Sequence, residues 1–172
     1  MKLEEYRIVR RRIIDGILST DMASHSKNLL SFKNKLESLG IEAGQNLDKL
    51  ISNDIAKNYE NQQNVLSMCI HTADLSNPAK LPEVYDKWVE LLFIEFFNQG
   101  DVEKSKGLPV SMLCDRETTF IPKTQIGFIN FIVIPQFEIM KNLIPEIKNY
   151  IDYVQINLKR NEELCQKQSK NS

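Results

Sequence analysis

The chain has 172 residues and a formal net charge of −1 at pH 7; 26% of its residues are charged and 42% are apolar. This length allows one domain with a sizeable core, and the near-zero charge argues against nucleic acid as a partner bound through phosphate neutralisation. The longest apolar run, residues 126–134, contains Gly127 and Asn130 and is too short to cross a bilayer. Three widely spaced cysteines and the lack of a signal-peptide pattern predict reduced thiols and a cytoplasmic location, although a longer parent could be membrane-attached.

The first third of the chain predicts two helices. The first, from Leu3 to Ser19, has apolar residues at core-facing spacing and arginines that we expect on a solvated rim. These are Ile13, Ile14, Ile17 and Leu18, and Arg7, Arg10, Arg11 and Arg12. Thr20-Asp21 offers a capping oxygen for a second helix through about Leu39. A loop bounded by glycines is expected at residues 40–44.

A third helix is expected from Asp54 to Asp74, where apolar residues recur at a spacing of about 3.6. It places His71 and Asp74 three residues apart, so that both side chains share one helix face. Asn77-Pro78 then stops the helix, because the residue before a proline is pushed out of the α region. This spacing alone is more typical of a surface pair than of a metal site.

Proline and glycine mark the expected boundaries of the later elements. These are a helix from Pro82 to Gly100, a charged connector at 101–107, an irregular stretch at 108–120, a helix opened by Pro122 and kinked or ended by Pro135, a last helix from Pro145 to about Leu164, and a fraying end at 167–172. Residues 128–134 are rich in Phe, Ile and Val and could form a buried strand, but the flanking spacing favours a helix. The sequence therefore predicts an all-α, compact multi-helix domain at residues 1–165 and a polar C-terminal tail at 166–172.

Two pairs of side chains on the later helices could bind a planar ligand. Gln125 and Phe128 are three residues apart, and Leu92 and Phe96 are four apart, so each pair shares a helix face. An amide can read the edge of a purine, and an aromatic ring can stack on its face. Stripes of this kind more often belong to a core.

Five landmarks carry a resemblance to a known family. They are Thr20-Asp21-Met22 with His25, then His71-Thr-Ala-Asp-Leu-Ser-Asn-Pro78, Glu95-Phe-Phe-Asn-Gln-Gly-Asp101, Cys114-Asp115 and Gln125-Ile-Gly-Phe128. In order and approximate spacing, over residues 6–138, they closely resemble the class I 3′,5′-cyclic-nucleotide phosphodiesterases. The resemblance implies the C-terminal portion of a phosphodiesterase catalytic fold.

The resemblance also implies an activity and a set of site residues. The family opens the cyclic phosphate of cAMP or cGMP to give a 5′-nucleotide, using zinc and a second ion, usually magnesium, that activate a bridging hydroxide. Asp74 matches the metal-binding aspartate, and His71 lies behind it. The positions that match nucleotide contacts are Gln125 for the purine edge, Phe128 for stacking, Leu92 and Phe96 for the opposite wall, and Asn77, Met22 and Leu113 for the pocket lining. Met112 departs from the family pattern, which usually has proline there.

The departure from the family pattern lies in the metal ligands. The family carries an earlier His-Asn-x-x-His segment and a His-Asp pair, which supply further ligands and the general acid. This chain has only His25 and His71, and both match family positions with other roles. Catalytic zinc needs about three protein ligands, so Asp74 alone cannot hold it. We therefore expect no catalytic residue in this chain, and the isolated chain to be inactive.

Three hypotheses follow. The chain is a fragment of a working phosphodiesterase, a truncated non-catalytic paralogue that acts as a binding or interaction module, or a plain helical scaffold. A half-domain should expose a large apolar patch, so we expect the isolated chain to aggregate or fold only partly. A cyclic nucleotide is the expected small-molecule partner, whereas cAMP or cGMP preference, regulatory domains and a homodimer of the complete enzyme stay open.

Overall fold

A computed structural model describes residues 2–38 and 58–171 of the chain. The described residues form α-helices and short 3₁₀ or π turns and no strand, so the all-α prediction is confirmed and the strand alternative for residues 128–134 is wrong. The helices are α1 (Leu3–Leu18), α2 (His25–Ser38), α3 (Tyr59–Asp74), α4 (Pro82–Ser105), α5 (Ile121–Phe128), α6 (Ile134–Lys141) and α7 (Lys148–Asn171). None of the described helices is long and apolar enough to cross a membrane. The predicted loop at 40–44, and the parts of the predicted helices at Leu39 and 54–57, lie outside the described residues.

The described residues divide into two compact units. The first contains the chain up to Ser76 together with Pro135–Lys148, and the second contains Asn77–Ile134 and the chain from Asn149 onward. The core of the first unit is built from α2, α3 and the segment around α6, and its buried side chains are Phe32, Leu36, Met68, Met140 and Leu143. The second unit buries apolar side chains of α4, the π turn and α7, namely Tyr85, Val89, Phe93, Ile129, Val133, Val154 and Leu158.

The prediction that the apolar residues of α1 face the core is wrong for three of the four residues named, while Ile14 is half-buried. Ile13, Ile17 and Leu18 are 55%, 63% and 67% exposed. The side of α1 that packs on α3 is instead marked by Gly16, where an added Cβ would lie 2.7 Å from Cδ1 of Ile70. A glycine permits this close approach of the two helices, so the larger apolar residues of α1 are left on another face.

Gly100 does not end α4, contrary to the sequence prediction. The helix continues to Ser105, and Gly100 lies buried inside it. A glycine is needed at this position because a Cβ would lie only 1.9 Å from the carbonyl oxygen of Cys114. The helix stops instead near Gly107, whose φ of +67° lies in the left-handed region that glycine adopts at little cost. The predicted connector at 101–107 is therefore mostly helix.

Pro135 does not end its helix either. Residues Ile129–Val133 form a π turn between α5 and α6, and the N–H of Ile134 donates to the carbonyl of Ile129. A π turn changes the hydrogen-bond pattern locally, and Pro135 follows immediately, where its missing N–H would otherwise leave a gap in an α ladder. The last helix begins after a 3₁₀ turn at Pro145–Ile147 and extends through Asn171, beyond the predicted end near Leu164 and through the residues expected to fray.

Candidate nucleotide-base site and histidine pair

A buried glutamine lies at the centre of the polar contacts in the second unit. Gln125 is only 5% exposed, on α5, and its Oε1 lies 3.1 Å from the hydroxyl of Tyr85 on α4. Burial raises the pKa of Tyr85 to about 12, so the hydroxyl keeps its proton at neutral pH. A buried amide with one polar partner already in place has its remaining hydrogen-bonding capacity available for a ligand.

A relay of hydrogen bonds sets the orientation of the Gln125 amide. Asn161 Nδ2 donates to the carbonyl of Asn157 at 2.7 Å and to the hydroxyl of Tyr85 at 2.9 Å. A backbone carbonyl only accepts, so it requires the nitrogen of Asn161, and not its oxygen, on that side. Since the Tyr85 hydroxyl accepts from Asn161, its own proton is free to go to Oε1 of Gln125. In this arrangement Nε2 of Gln125 is the side-chain donor left for a ligand.

Helix α7, which contains Asn157 and Asn161, also anchors the turn that contains Asn77. Asn157 Nδ2 donates to the carbonyls of Pro78 and Lys80, each at 2.9 Å. These contacts hold the 3₁₀ turn Asn77–Ala79 against α7. Oδ1 of Asn77 is buried and has no hydrogen-bond partner among the described residues. An orphaned buried acceptor of this kind calls for a partner, and a ligand donor would satisfy it.

The remaining predicted nucleotide contacts in the second unit are partly accessible. Leu92 is 38% exposed on α4, Phe96 is half-buried one turn later, and Phe128 is half-buried at the end of α5. Leu113 is 36% exposed and has a φ of +69°, a left-handed conformation that a leucine rarely adopts. Such strain persists only where the surroundings impose it and is frequent at ligand sites. Contact of these four side chains with a nucleotide stays a prediction.

In the first unit the two histidines contact each other. Nδ1 of His25 lies 2.8 Å from Nε2 of His71, and the side chains are 3% and 2% exposed. Burial lowers the pKa of both; the neighbouring His71 lowers that of His25 further, while Asp74 acts in the opposite direction on His71. Because both pKa values lie below the ordinary value of 6.5, both rings are mainly neutral at pH 7, and one ring then donates while the other accepts. Sequence reasoning missed this pair, although the two residues were the only histidines available to form one.

The described part of the chain contains no group of side chains that fits a metal site. Asp74 is exposed at the last position of α3, and Met22 is 45% exposed in the 3₁₀ turn before α2. Within residues 2–38 and 58–171, no three His, Cys, Asp or Glu side chains are grouped so as to hold an ion. Zinc in a catalytic site requires about three protein ligands, so the donor set does not fit it.

The first unit also contains a cavity of about 570 Å³ between α1, α2 and α3. Its lining mixes apolar side chains such as Phe32 with polar and charged ones that include Arg11, Asp15, Ser31 and Glu60. None of the predicted site residues lines it. Sequence periodicity could not have indicated this cavity, because its polar residues come from three separate helices.

The described residues form an all-helical fold that holds the buried amide of Gln125 against Tyr85, and comparison with known proteins identifies the family. The family model described as 3′5′-cyclic nucleotide phosphodiesterase matches residues 1–154. The chain belongs to this family.

Known relatives and solved structures agree with the family. The chain is 36% identical over 158 residues to 3′,5′-cyclic-AMP phosphodiesterase, isoform F, of Drosophila melanogaster, covering 91% of this chain and 23% of that protein. It is 39% identical over 152 residues to the probable 3′,5′-cyclic-AMP phosphodiesterase pde-4 of Caenorhabditis elegans, covering 86% of this chain and 21% of that protein.

Two solved structures share the fold at 29% identity. One is LmjPDEB1 in complex with IBMX, with a TM-score of 0.81 over 96% of this chain and 46% of that chain. The other is the phosphodiesterase domain of the RhoPDE fusion protein from the choanoflagellate Salpingoeca rosetta, with a TM-score of 0.84 over 99% of this chain and 50% of that chain. The chain therefore spans about a quarter or less of the curated relatives it matches and about half of these solved chains.

Proposed function

We propose that this chain is the base-recognition part of a catalytic domain that hydrolyses a 3′,5′-cyclic nucleotide to the 5′-nucleotide in cyclic-nucleotide signalling. The observation that carries the proposal is the buried amide of Gln125, held by Tyr85 with its donor free. Family membership and relatives that are named cyclic-AMP phosphodiesterases support the same activity.

An amide held in one orientation can distinguish cAMP from cGMP, and we propose cAMP as the preferred nucleotide. Adenine presents an N6 donor beside an N1 acceptor, whereas guanine presents an O6 acceptor beside an N1 donor. In one binding pose, a fixed amide complements only one of these patterns, because the other would require its oxygen and nitrogen to exchange places. Relatives named for cyclic AMP support adenine as the base that Gln125 reads. Phe128 would stack on this base, opposite Leu92 and Phe96, with Asn77, Met22 and Leu113 lining the pocket.

The chemical step needs residues that this chain does not supply. Asp74 would be one ligand of the two divalent ions, zinc and magnesium, in a complete domain, with His71 behind it. These ions, when bound, would lower the pKa of a bound water and neutralise charge on the phosphate. The other ligands and the general acid would come from outside these 172 residues, so the isolated chain should not hydrolyse cyclic nucleotides.

A hydrolysis assay with added zinc and magnesium tests this function. The comparison is between the isolated chain, a complete domain that contains it, and the same domain with Asp74→Ala. We expect turnover only from the intact complete domain, and Gln125→Ala in that domain should raise KM for cAMP by about 10- to 100-fold, the value of two neutral hydrogen bonds. Full activity of Asp74→Ala, or unchanged KM in Gln125→Ala, would reject the assignment.

A second candidate is a non-catalytic module that binds a cyclic nucleotide. It is favoured by the contrast between an oriented base-reading amide and the incomplete metal donor set. Equilibrium binding of labelled cAMP to the isolated chain, without hydrolysis, would support it. If the isolated chain shows no binding at millimolar cAMP, this candidate is excluded.

A further inference from the structure

Leu113 occupies a backbone turn in a conformation that leucine rarely adopts. The N–H of Cys114 donates to the carbonyl of Ser111 at 3.0 Å, which closes a four-residue turn with Leu113 at its third position. The φ of Leu113 is +69°, and a positive φ at this position favours glycine or asparagine, because a larger side chain crowds the backbone there. Groups outside the turn must therefore hold it in this conformation.

Glu103 is half-buried near the C-terminal end of α4 and binds the first residue of this turn. Its Oε2 accepts the N–H of Ser111 at 2.7 Å, and its Oε1 accepts the hydroxyl of Ser111, also at 2.7 Å. Nε2 of Gln99 donates to the same Oε1 at 2.8 Å. The N–H of Ser111, together with Gln99 and the Ser111 hydroxyl, lowers the pKa of Glu103, so the carboxylate is ionised at neutral pH and accepts all three hydrogen bonds.

The opposite end of the turn is held on α4 by other contacts. Cys114 is 4% exposed, and its carbonyl lies so close to Gly100 that no side chain would fit between them. Nζ of Lys104 donates to Oδ1 of Asp115 at 2.8 Å. Both ends of the turn are thus fixed to one helix, and loss of the contacts at Ser111 would free only one of them.

We propose that Glu103 is a positioning residue for the nucleotide pocket: by binding Ser111, it holds the turn in the conformation that presents Leu113 to the nucleotide. The inference rests on the proposed function, in which Leu113 lines the pocket. Leu92 and Phe96 lie on the same helix as Glu103, so α4 would supply two pocket residues directly and a third through the turn. Because Glu103 acts only through the turn, it contributes to nucleotide affinity and not to the chemical step.

Equilibrium binding of labelled cAMP to a complete domain that contains these residues tests the inference. Glu103→Gln keeps the size of the side chain but replaces one oxygen with an NH₂ group, which cannot accept a hydrogen bond from Ser111. We expect Kd and KM for cAMP to rise by about 5- to 30-fold, the ratio that corresponds to the steric cost of a left-handed leucine, while kcat stays within about twofold. Glu90→Gln is the matched control, because Glu90 is an exposed carboxylate on the same helix, and its Kd should change less than about twofold.

Two second substitutions separate a role in the turn from a general effect of charge. Met112 is 87% exposed at the second position of the turn, where proline is favoured. Met112→Pro restricts the unbound turn, so in the Glu103→Gln background it should recover at least about threefold of the lost affinity. Leu113→Gly removes both the strained φ and the side chain that the turn presents. In that background Glu103→Gln should therefore change Kd less than about twofold.

Three results would overturn the inference. They are an unchanged Kd in Glu103→Gln, an equal rise in Glu90→Gln, and a Glu103→Gln effect that is as large in the Leu113→Gly background as in the parent. Binding is measured without turnover, so a domain that binds cAMP in a Glu103-dependent way but does not hydrolyse it would contradict the proposed function and leave this inference intact. Normal hydrolysis with an unchanged KM in Glu103→Gln would reject this inference and leave the proposed function intact.

Discussion

The hydroxyl of Tyr85 provides the sharpest test of how the chain reads a purine. Tyr85→Phe removes one oxygen and keeps the ring, leaving Oε1 of Gln125 and one N–H of Asn161 without the partners they have at 3.1 and 2.9 Å. Each orphaned buried group costs about 1–3 kcal/mol, so the loss of two partners should lower the free energy of unfolding by about 2–6 kcal/mol. The variant also loses the hydrogen bond of about 1 kcal/mol that favours one orientation of the Gln125 amide over the other. This loss corresponds to a factor of about 5 in the ratio of the two orientations.

The assay is the ratio of kcat/KM for cAMP and cGMP in a complete domain that carries these residues. We expect Tyr85→Phe to lower the preference for cAMP about fivefold, mainly by raising KM for cAMP. Tyr150→Phe is the matched control, because Tyr150 is 54% exposed in the same unit and should leave the ratio unchanged. A preference that stays within twofold of the parent in Tyr85→Phe, or shifts equally in both variants, would refute the relay as the source of selectivity.

Three further predictions concern the relay, one packing contact and the histidine pair. Asn161→Asp replaces a donor with an acceptor, which should draw the tyrosine proton away from Gln125, reverse its amide and shift kcat/KM towards cGMP more than Asn161→Leu does. Gly100→Ala should lower the melting temperature by at least about 8 °C, because the new methyl meets a backbone carbonyl, whereas Gly127→Ala, with open space around it, should be neutral or stabilising by calorimetry. The lowered pKa values of the histidine pair mean that the unfolded chain binds protons that the folded chain does not. Stability in urea should therefore fall as the pH drops from about 6.5 towards 5, and His25→Asn should reduce that slope.

Periodicity predicted most of the helices, but it did not predict which face of each helix is buried. The apolar residues of α1 around Ile13 have core-facing spacing, and within the described residues they are mainly solvent-exposed. Spacing shows which residues share a face, and only the neighbouring elements decide which face is covered. Here the close approach of Gly16 to Ile70 decides it, a contact between residues 54 positions apart.

Glycine and proline predicted the helix ends correctly only where the tertiary structure did not require these residues for another reason. Gly107 ends α4 at a positive φ, as glycine often does, while Gly100 lies inside the same helix because the Cys114 backbone comes too close for any side chain. Pro135 is tolerated after a π turn. A single sequence does not distinguish a glycine that is needed for a positive φ from a glycine that is needed because a neighbouring group leaves no room for a side chain.

The site was predictable at its ligand-facing residues and not in their support. Gln125 could be selected by its motif, but Tyr85 and Asn161 lie 40 and 36 residues from it in opposite directions along the chain, with no shared spacing. They are recognisable only once α4, α5 and α7 are brought together. The orientation of the amide, which decides what it can bind, therefore depends on residues that no local pattern singles out.

Helix α7 has a practical consequence for where the domain is considered to end. The family match stops at residue 154, yet Asn157 anchors the turn of Asn77 and Asn161 begins the relay to Gln125. Both asparagines lie on the next two turns of the same helix, three and seven positions past that limit. A protein cut at the family boundary would keep every ligand-facing residue and lose the groups that orient them, so expression limits for this family are better set by the end of the helix than by the end of the match.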